Sequence, residues 1–265
     1  MKQRTVENSQ PVRDNLVQAE DFAEGGSVQV ADAQDELAAF FRGDETPKIF
    51  ITTGINPGQV TGDLAKELAD VFPDAKYLPR LPHYKTVESV VKEALPHGYT
   101  HMVLVSEQDR PLGDRKPVPD GLTLIKLPEG PTAYFKLSSV TLTAQIYGHG
   151  RATPHFPELI LNNFNTRLGH SIGRFFVSLF PPVPQFQGRQ AVTLHNQRDF
   201  IFFRRHRYIF DDEGKRCNLQ ELGPRFTLKL DALQRGIMNR RGKNGGFELA
   251  FKASSDAAKT KTFLL

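Results

Sequence analysis

The feature that most narrows the folds open to this chain is the order of hydrophobic periods between Lys48 and Ser106. KIFITTG (48–54) is a β-rich run ending at Gly54, and Pro57-Gly58 then opens a segment with Val60, Leu64, Leu68 and Val71 at helical spacing. A short strand around Ala75 to Leu78 follows, then a second helix from about Thr86 to Leu95, then the apolar run YTHMVLVS at 99–106. Side chains alternate faces along a strand and return every 3.6 residues on a helix, so this order of periods predicts βαβαβ. Two further β-like runs, GLTLIKL (121–127) and TAYFKLSSV (132–140), flank the turn Pro128-Glu129-Gly130-Pro131. Residues 47–146 therefore read as one compact α/β unit.

A glycine-punctuated link, Tyr147-Gly148-His149-Gly150, opens the second half. Its clearest predicted helix covers 158–180, where Leu161, Phe164, Leu168, Ile172, Phe175 and Leu179 step by three or four, and Pro181, Pro182 and Pro184 end it. AVTLHNQ and FIFFRRHRYIF, separated by Arg198-Asp199, predict a hairpin. After a turn at Asp211 to Gly214, PRFTLKL alternates Phe226, Leu228 and Leu230 with Arg225, Thr227 and Lys229, the pattern of a half-buried strand. From Gly242 the extension 242–265 is rich in Gly, Lys and Ser apart from a short run at Phe247 to Phe251. At the other end, residues 1–46 are polar and acid-rich, with one short apolar run at Leu37 to Phe41, and are expected to be largely extended.

Charge follows these divisions. The 265 residues carry a net +4, but residues 1–46 hold 4 basic and 10 acidic side chains, 47–146 hold 11 of each, and 147–265 hold 19 basic and 9 acidic. An acidic tail and a strongly basic second half point to a phosphate-bearing partner, or else to an ordinary solvated face. No stretch approaches about 18 apolar residues and MKQRTVENSQ has no signal-peptide core, so neither a membrane span nor secretion is expected. The one cysteine, Cys217, rules out an internal disulfide and a cysteine-based zinc site.

In the basic half, Asn163, Arg167, His170 and Arg174 are spaced to project from one polar stripe of the predicted helix. On the hairpin, Phe202, Arg204, His206 and Tyr208 share one face, and Phe203, Arg205, Arg207 and Ile209 the other. Arginine interleaved with aromatics suits RNA, since guanidinium pairs with phosphate and both groups stack on unpaired bases. The candidate RNA-binding set is Asn163, Arg167, His170, Arg174, Arg204, Arg205, His206 and Arg207 together with Arg151, Arg189, His195, Arg198, Arg225 and Lys229. The competing structural reading pairs individual arginines internally with Asp199, Glu158 or Glu221. A spacer-cleaving ribonuclease using His170, His195 or His206 is the enzymatic alternative, and a purely protein-binding scaffold a third. No histidine spacing supports catalysis, and there is no HExxH or Cys/His quartet for zinc. Neither a metal nor a small-molecule cofactor or substrate is expected. The segment GINPGQVTG at 54–62 lacks the spacing and lysine of a phosphate loop and reads as a turn; Glu107 and Asp109 read as loop acids.

Four passages, PKIFITTG (47–54), LPEGPTAYFKLSS (127–139), PELILNNFNTRLGHSIGRFFVSLFP (157–181) and the span 188–236, resemble the Brix-domain family of ribosome assembly factors, as does KQRTVENS at 2–9. The resemblance covers nearly the whole chain. It implies an α/β (α+β) fold of two similar halves, 47–146 and 147–241, resembling anticodon-binding-type units, and no catalytic activity. It implies that Leu219 to Leu230, similar to a motif of bacterial sigma factors, belongs to an RNA-binding surface. It also implies a nucleolar factor acting on the precursor rRNA of the large ribosomal subunit beside other pre-ribosomal proteins, paired with a maintenance-of-killer family assembly factor. Relatives carry a lysine-rich extension ahead of KQRTVEN and commonly a serine where Gly54 stands.

Overall fold

The computed structural model describes residues 17–23, 26–84, 86–107, 117–211 and 215–237, and the backbone of 247–250. KQRTVENS, Asp109, residues 212–214 of the predicted turn and most of the C-terminal extension lie outside the described residues.

The first half follows its hydrophobic periods. β1 (Ile49–Thr53) is buried along its whole length, as a strand covered on both faces should be. α3 (Gln59–Val71) turns Leu64, Ala65, Leu68 and Val71 inward. β2 (Lys76–Tyr77) is short; α4 (Val87–Ala94) starts at Thr86, whose side chain accepts the Ser89 amide. β3 (His101–Glu107) lies parallel to β1, and β4 (Pro119–Lys126) and β5 (Thr132–Thr141) continue antiparallel.

The second half departs from its periodicity at one place. Residues Glu158–Asn162 form strand β6, and the helix, α5, spans only Arg167–Val177. Leu159 and Leu161 point toward the core as the alternate residues of a strand, which pairs in parallel with β7 (Gln190–Gln197). Asn163 adopts a left-handed φ of 64°, and Thr166 caps the helix by accepting the Gly169 amide at 2.9 Å. Leu161 and Phe164, three apart, thus extended a genuine 3.6-residue stripe backward beyond the helix start. The hairpin forms as expected: β7 and β8 (Phe200–Phe210) are joined by Arg198 and Asp199, both with positive φ, the geometry of a type I′ turn. β9 (Cys217–Glu221) pairs with the outer part of β8, and β10 (Arg225–Gln234) with the inner part. β11 (Phe247–Ala250) pairs with β10.

All strands belong to one sheet, ordered β2-β1-β3-β4-β5-β10-β8-β7-β6, with β9 and β11 off this path. Within it the two halves repeat: β1-α3-β3-β4-β5 matches β6-α5-β7-β8-β10 in order and in strand direction. The repeats meet at the antiparallel β5–β10 seam. α3 and α5 lie on one face over a common core that includes Ile51, Val103, Phe135, Val192, Phe203 and Leu228. α4 lies on the opposite face, over Phe50, Met102, Leu104 and Ile125.

The acidic segment is folded where the sequence predicts extended chain. A 3₁₀ turn at Ala19–Phe22, helix α1 (Ser27–Gln34) and helix α2 (Ala38–Phe41) run over the outer side of α5. Leu37, Ala38 and Phe40 are buried, which gives local sequence of weak helical pattern a tertiary reason to be ordered. Glu45 ends the segment in an ion pair with the buried Lys126 of β4.

Candidate nucleic-acid interface

Among the described residues, no helix covers the second half of the sheet on the side where α4 covers the first. The side chains of this open face come from alternate positions of five strands. Phe200 stands opposite Lys229, and Lys229 opposite Lys136. Phe202 stands opposite His195, and Arg204 opposite Thr193. Phe200 is 39% exposed, and Ile160 on β6 is exposed as well. The cations sit against the rings: Lys229 Nζ lies 5.1 Å from the Phe200 centroid and the Arg204 guanidinium 6.0 Å from that of Phe202. Arg204 Nη1 also donates to the carbonyl of Phe203 at 2.7 Å, which fixes the guanidinium on the sheet. Toward the strand ends lie His206, whose affinity for a proton is lowered by burial first and by Arg204 against the pull of Glu221, and Tyr208. Tyr208 donates to Glu158, and burial with that bond pushes its phenol up to about 12. The apolar bed under α4 is thus replaced here by rings and cations, a surface suited to stacked bases and phosphates rather than to an apolar helix.

The candidate residues predicted from sequence separate into three groups. His195, Arg204, His206, Arg225 and Lys229 share the open face; Arg225 also pairs with Glu221 at 3.3 Å. Arg151, Arg189 and Arg198 are exposed on loops. The remainder is engaged inside the protein or lies on the other side of the sheet. Arg205 is buried on the helix-covered face, where Nη2 donates to Gln190 at 2.9 Å and Asp70 of α3 is the nearby counter-charge. Arg207 shares that side. Asn163 lies off the helix and exchanges amide hydrogen bonds with Asn196. Arg167, His170 and Arg174 do line one stripe of α5, but the acidic segment occupies it. Arg167 meets Asp21 and Ser27, His170 meets Asp32 at 2.8 Å, and Arg174 meets Asp32 and Asp35 at 3.2 and 3.0 Å. Desolvation outweighs Arg174 at Asp35 and holds that carboxyl above its ordinary range.

This placement bears on catalysis. His170 lies on the helix-bearing side of the sheet, and His195 and His206 on the open side. His195 is paired with Phe202, four residues along β8 from His206, which sets the two imidazoles about 13 Å apart along the strand. No two of the three face one phosphodiester. Elsewhere, the N-terminus of α3 is not an open anion site: Gly58 N donates to Glu107 at 2.9 Å and Thr61 Oγ1 donates to Glu107 at 2.6 Å, so this acid caps a helix rather than standing free in a loop. Among the described residues no cluster of three metal-ligating side chains occurs, and no helix is long and apolar enough to cross a membrane.

The profile of the Brix domain matches residues 54–232. The chain belongs to the Brix family. It is 44% identical over 266 residues to ribosome production factor 1 of Saccharomyces cerevisiae, spanning 99% of this chain and 84% of that protein. To ribosome production factor 1 of Rattus norvegicus it is 44% identical, over 97% of this chain and 70% of the relative, and to that of Danio rerio 43%, over 99% and 75%. A crystal structure of a probable ribosomal biogenesis protein from Aeropyrum pernix K1 shares the fold, with a TM-score of 0.50, 16% identity, and coverage of 69% of this chain and 96% of that one.

Within this Brix domain the stretch from Leu219 to Leu230 divides its work. Leu222, Gly223 and Pro224 are buried at the junction of the halves, and Gly223 has φ +73° with Thr143 so close that a Cβ would lie 2.6 Å from its hydroxyl. Only Arg225 and Lys229 of that stretch project cations onto the open face. Sequence reasoning missed Lys136 and Tyr134, which reach the same face from β5. Their alternation in TAYFKL was visible, but the pairing of β5 with β10, which brings the first half to the site, has no local signal.

Proposed function

We propose that this Brix protein is a non-catalytic RNA-binding factor of ribosome assembly that holds precursor rRNA of the large subunit on the open sheet face. The single observation that carries the reading is the array of Phe200, Phe202, Arg204 and Lys229 on the sheet face that has no counterpart of α4, with Lys136 beside it across the β5–β10 seam. Family membership and likeness to proteins named ribosome production factors support the assembly role, and with it a nucleolar location. The separation of the three histidines speaks against the ribonuclease alternative. A protein partner has its own candidate surface. Tyr208, Ile209, Phe210 and Leu219 on the projecting β8–β9 ribbon leave apolar side chains on both faces of two strands, with Ile209, Phe210 and Leu219 exposed. A maintenance-of-killer family factor, the pairing expected of such a protein, would dock there.

A salt titration tests the RNA reading. Affinity for a single-stranded spacer RNA should fall steeply with salt, and Lys229→Ala with Lys136→Ala should reduce the slope of log K against log salt by about 1 to 1.5. Phe202→Ala should weaken binding by about 1–3 kcal/mol with the slope kept. Full affinity in all three substitutions removes the sheet face as the site. Arg174→Ala and Arg205→Ala, obvious choices from sequence, would report on folding instead.

A further inference from the structure

The stripe on α5 is cationic, lies outside the proposed RNA site, and is covered by the protein's own chain. Between Gln18 and Glu36 there are six acidic residues and no basic one. Their carboxylates step along the helix: Asp21 at Arg167, Asp32 at His170 and Arg174, Asp35 at Arg174. Rings complete the pattern. Arg174 stacks 3.9 Å from the Phe41 centroid, and Phe22 meets the His170 ring edge-on at 5.1 Å. Carboxylates on guanidinium and aromatics on Arg and His are the two kinds of contact a single strand of nucleic acid makes, through phosphate and base.

The segment is not held evenly. Its C-terminal part is anchored, with Leu37 and Phe40 buried and the Arg174 side chain only 11% exposed. Its N-terminal part rests on the surface: Val28 is the one residue buried in α1, Phe22 and Val30 are about half exposed, and the Arg167 side chain that meets Asp21 is 63% exposed. An exposed pair such as Arg167–Asp21 contributes little and is screened by salt, so a polyanion can displace it at small cost, whereas the part-buried Asp32 contacts with His170 and Arg174 yield after it. The neighbouring Arg174–Asp35 pair would stay in place.

We propose that residues 18–23 and 26–34 are a cis-acting stand-in for nucleic acid, which keeps Arg167 and His170 from RNA until a strand engaged on the protein displaces it. This rests on the RNA-binding reading above. The stripe then adds a second contact track on the opposite side of the sheet, and the acidic segment selects for RNA able to reach both.

The test compares full-length chains. Asp21→Asn, Phe22→Ala and Asp32→Asn together remove the two carboxylates that meet Arg167 and His170 and the ring against His170, and leave Asp35, Leu37 and Phe40 in place. Binding of a fluorescent single-stranded RNA at low salt should tighten about 3- to 10-fold, and the salt slope should steepen by about 0.7 for Arg167. Adding Arg167→Ala and His170→Ala should cancel the gain. Hydrogen exchange gives an independent readout on the unaltered chain: the amides of 27–34 should exchange faster when RNA is added. Unchanged affinity and slope in the triple variant, with sheet-face substitutions still weakening RNA, overturns this inference and leaves the RNA reading intact. Slower or unchanged exchange of 27–34 on RNA binding overturns it also. Absence of RNA binding by parent and variant alike overturns both.

Discussion

His101 begins β3 with its ring 1% exposed, held between the Thr100 hydroxyl at 2.8 Å and the Ser178 hydroxyl at 3.1 Å. Burial, reinforced by Lys126, brings its pKa down to about 3. The unfolded chain therefore takes up this proton first, near pH 6.5, and the stability His101 supplies is complete above that pH and lost as pH falls toward 3. The unfolding free energy from urea titrations between pH 7.5 and 5 should fall, at a rate approaching roughly 1 kcal/mol per pH unit in the lower part of the range. His101→Gln, which can keep both hydroxyl partners, should flatten that dependence; the same slope in the variant sinks the assignment. At this scale Arg205 and Arg204 show how neighbours with identical chemistry take different roles. Period-two alternation separates them, and which side of the sheet carries α3 and α5 makes one a core residue and the other a surface cation.

At the scale of elements, the passage from β6 to α5 sets where the basic stripe begins. Thr166→Ala removes the hydroxyl that accepts the Gly169 amide and should lower stability by about 1 kcal/mol, measured by chemical denaturation. Were the helix continuous from 158, the same change inside it would be neutral or stabilising, because alanine is the better helix former. Most elements were legible in the sequence: β1, α3, α4, the β7–β8 hairpin and the alternation of β10 follow from periodicity and turn residues. β6 was not, because Leu161 and Phe164 continue the three-and-four stepping of the helical stripe ahead of Thr166, and only pairing with β7 shows Leu161 to be a strand residue. α1 and α2 were hidden for another reason. Their pattern is weak, and it is α5 that orders them.

For the molecule as a whole, two repeats share one sheet across β5 and β10, which pair from Thr141 opposite Arg225 to Thr132 opposite Gln234. Separating the halves would expose two long strand edges and divide one core. We therefore expect a single cooperative unfolding transition, with the calorimetric and van't Hoff enthalpies in agreement. Two resolved transitions would establish the halves, divided near 147–157, as independent folding domains. The seam also explains how the candidate site is built. Lys136 from the first half and Lys229 from the second stand side by side only because the repeats join there.

The sequence by itself determined the α/β class, the hairpin and the segregation of charge into an acidic start and a basic second half, since each is written in local periods and residue types, whereas the repeat of two halves followed only from family resemblance. It also brought Arg, His and Phe together on named strands. Tertiary structure alone decided which of those cations face outward. That choice depends on which side of the sheet the helices cover and on where the acidic segment docks. Both are set by contacts between residues far apart in the chain, and a carboxylate at position 32 carries no local sign that it will meet the arginine at 174.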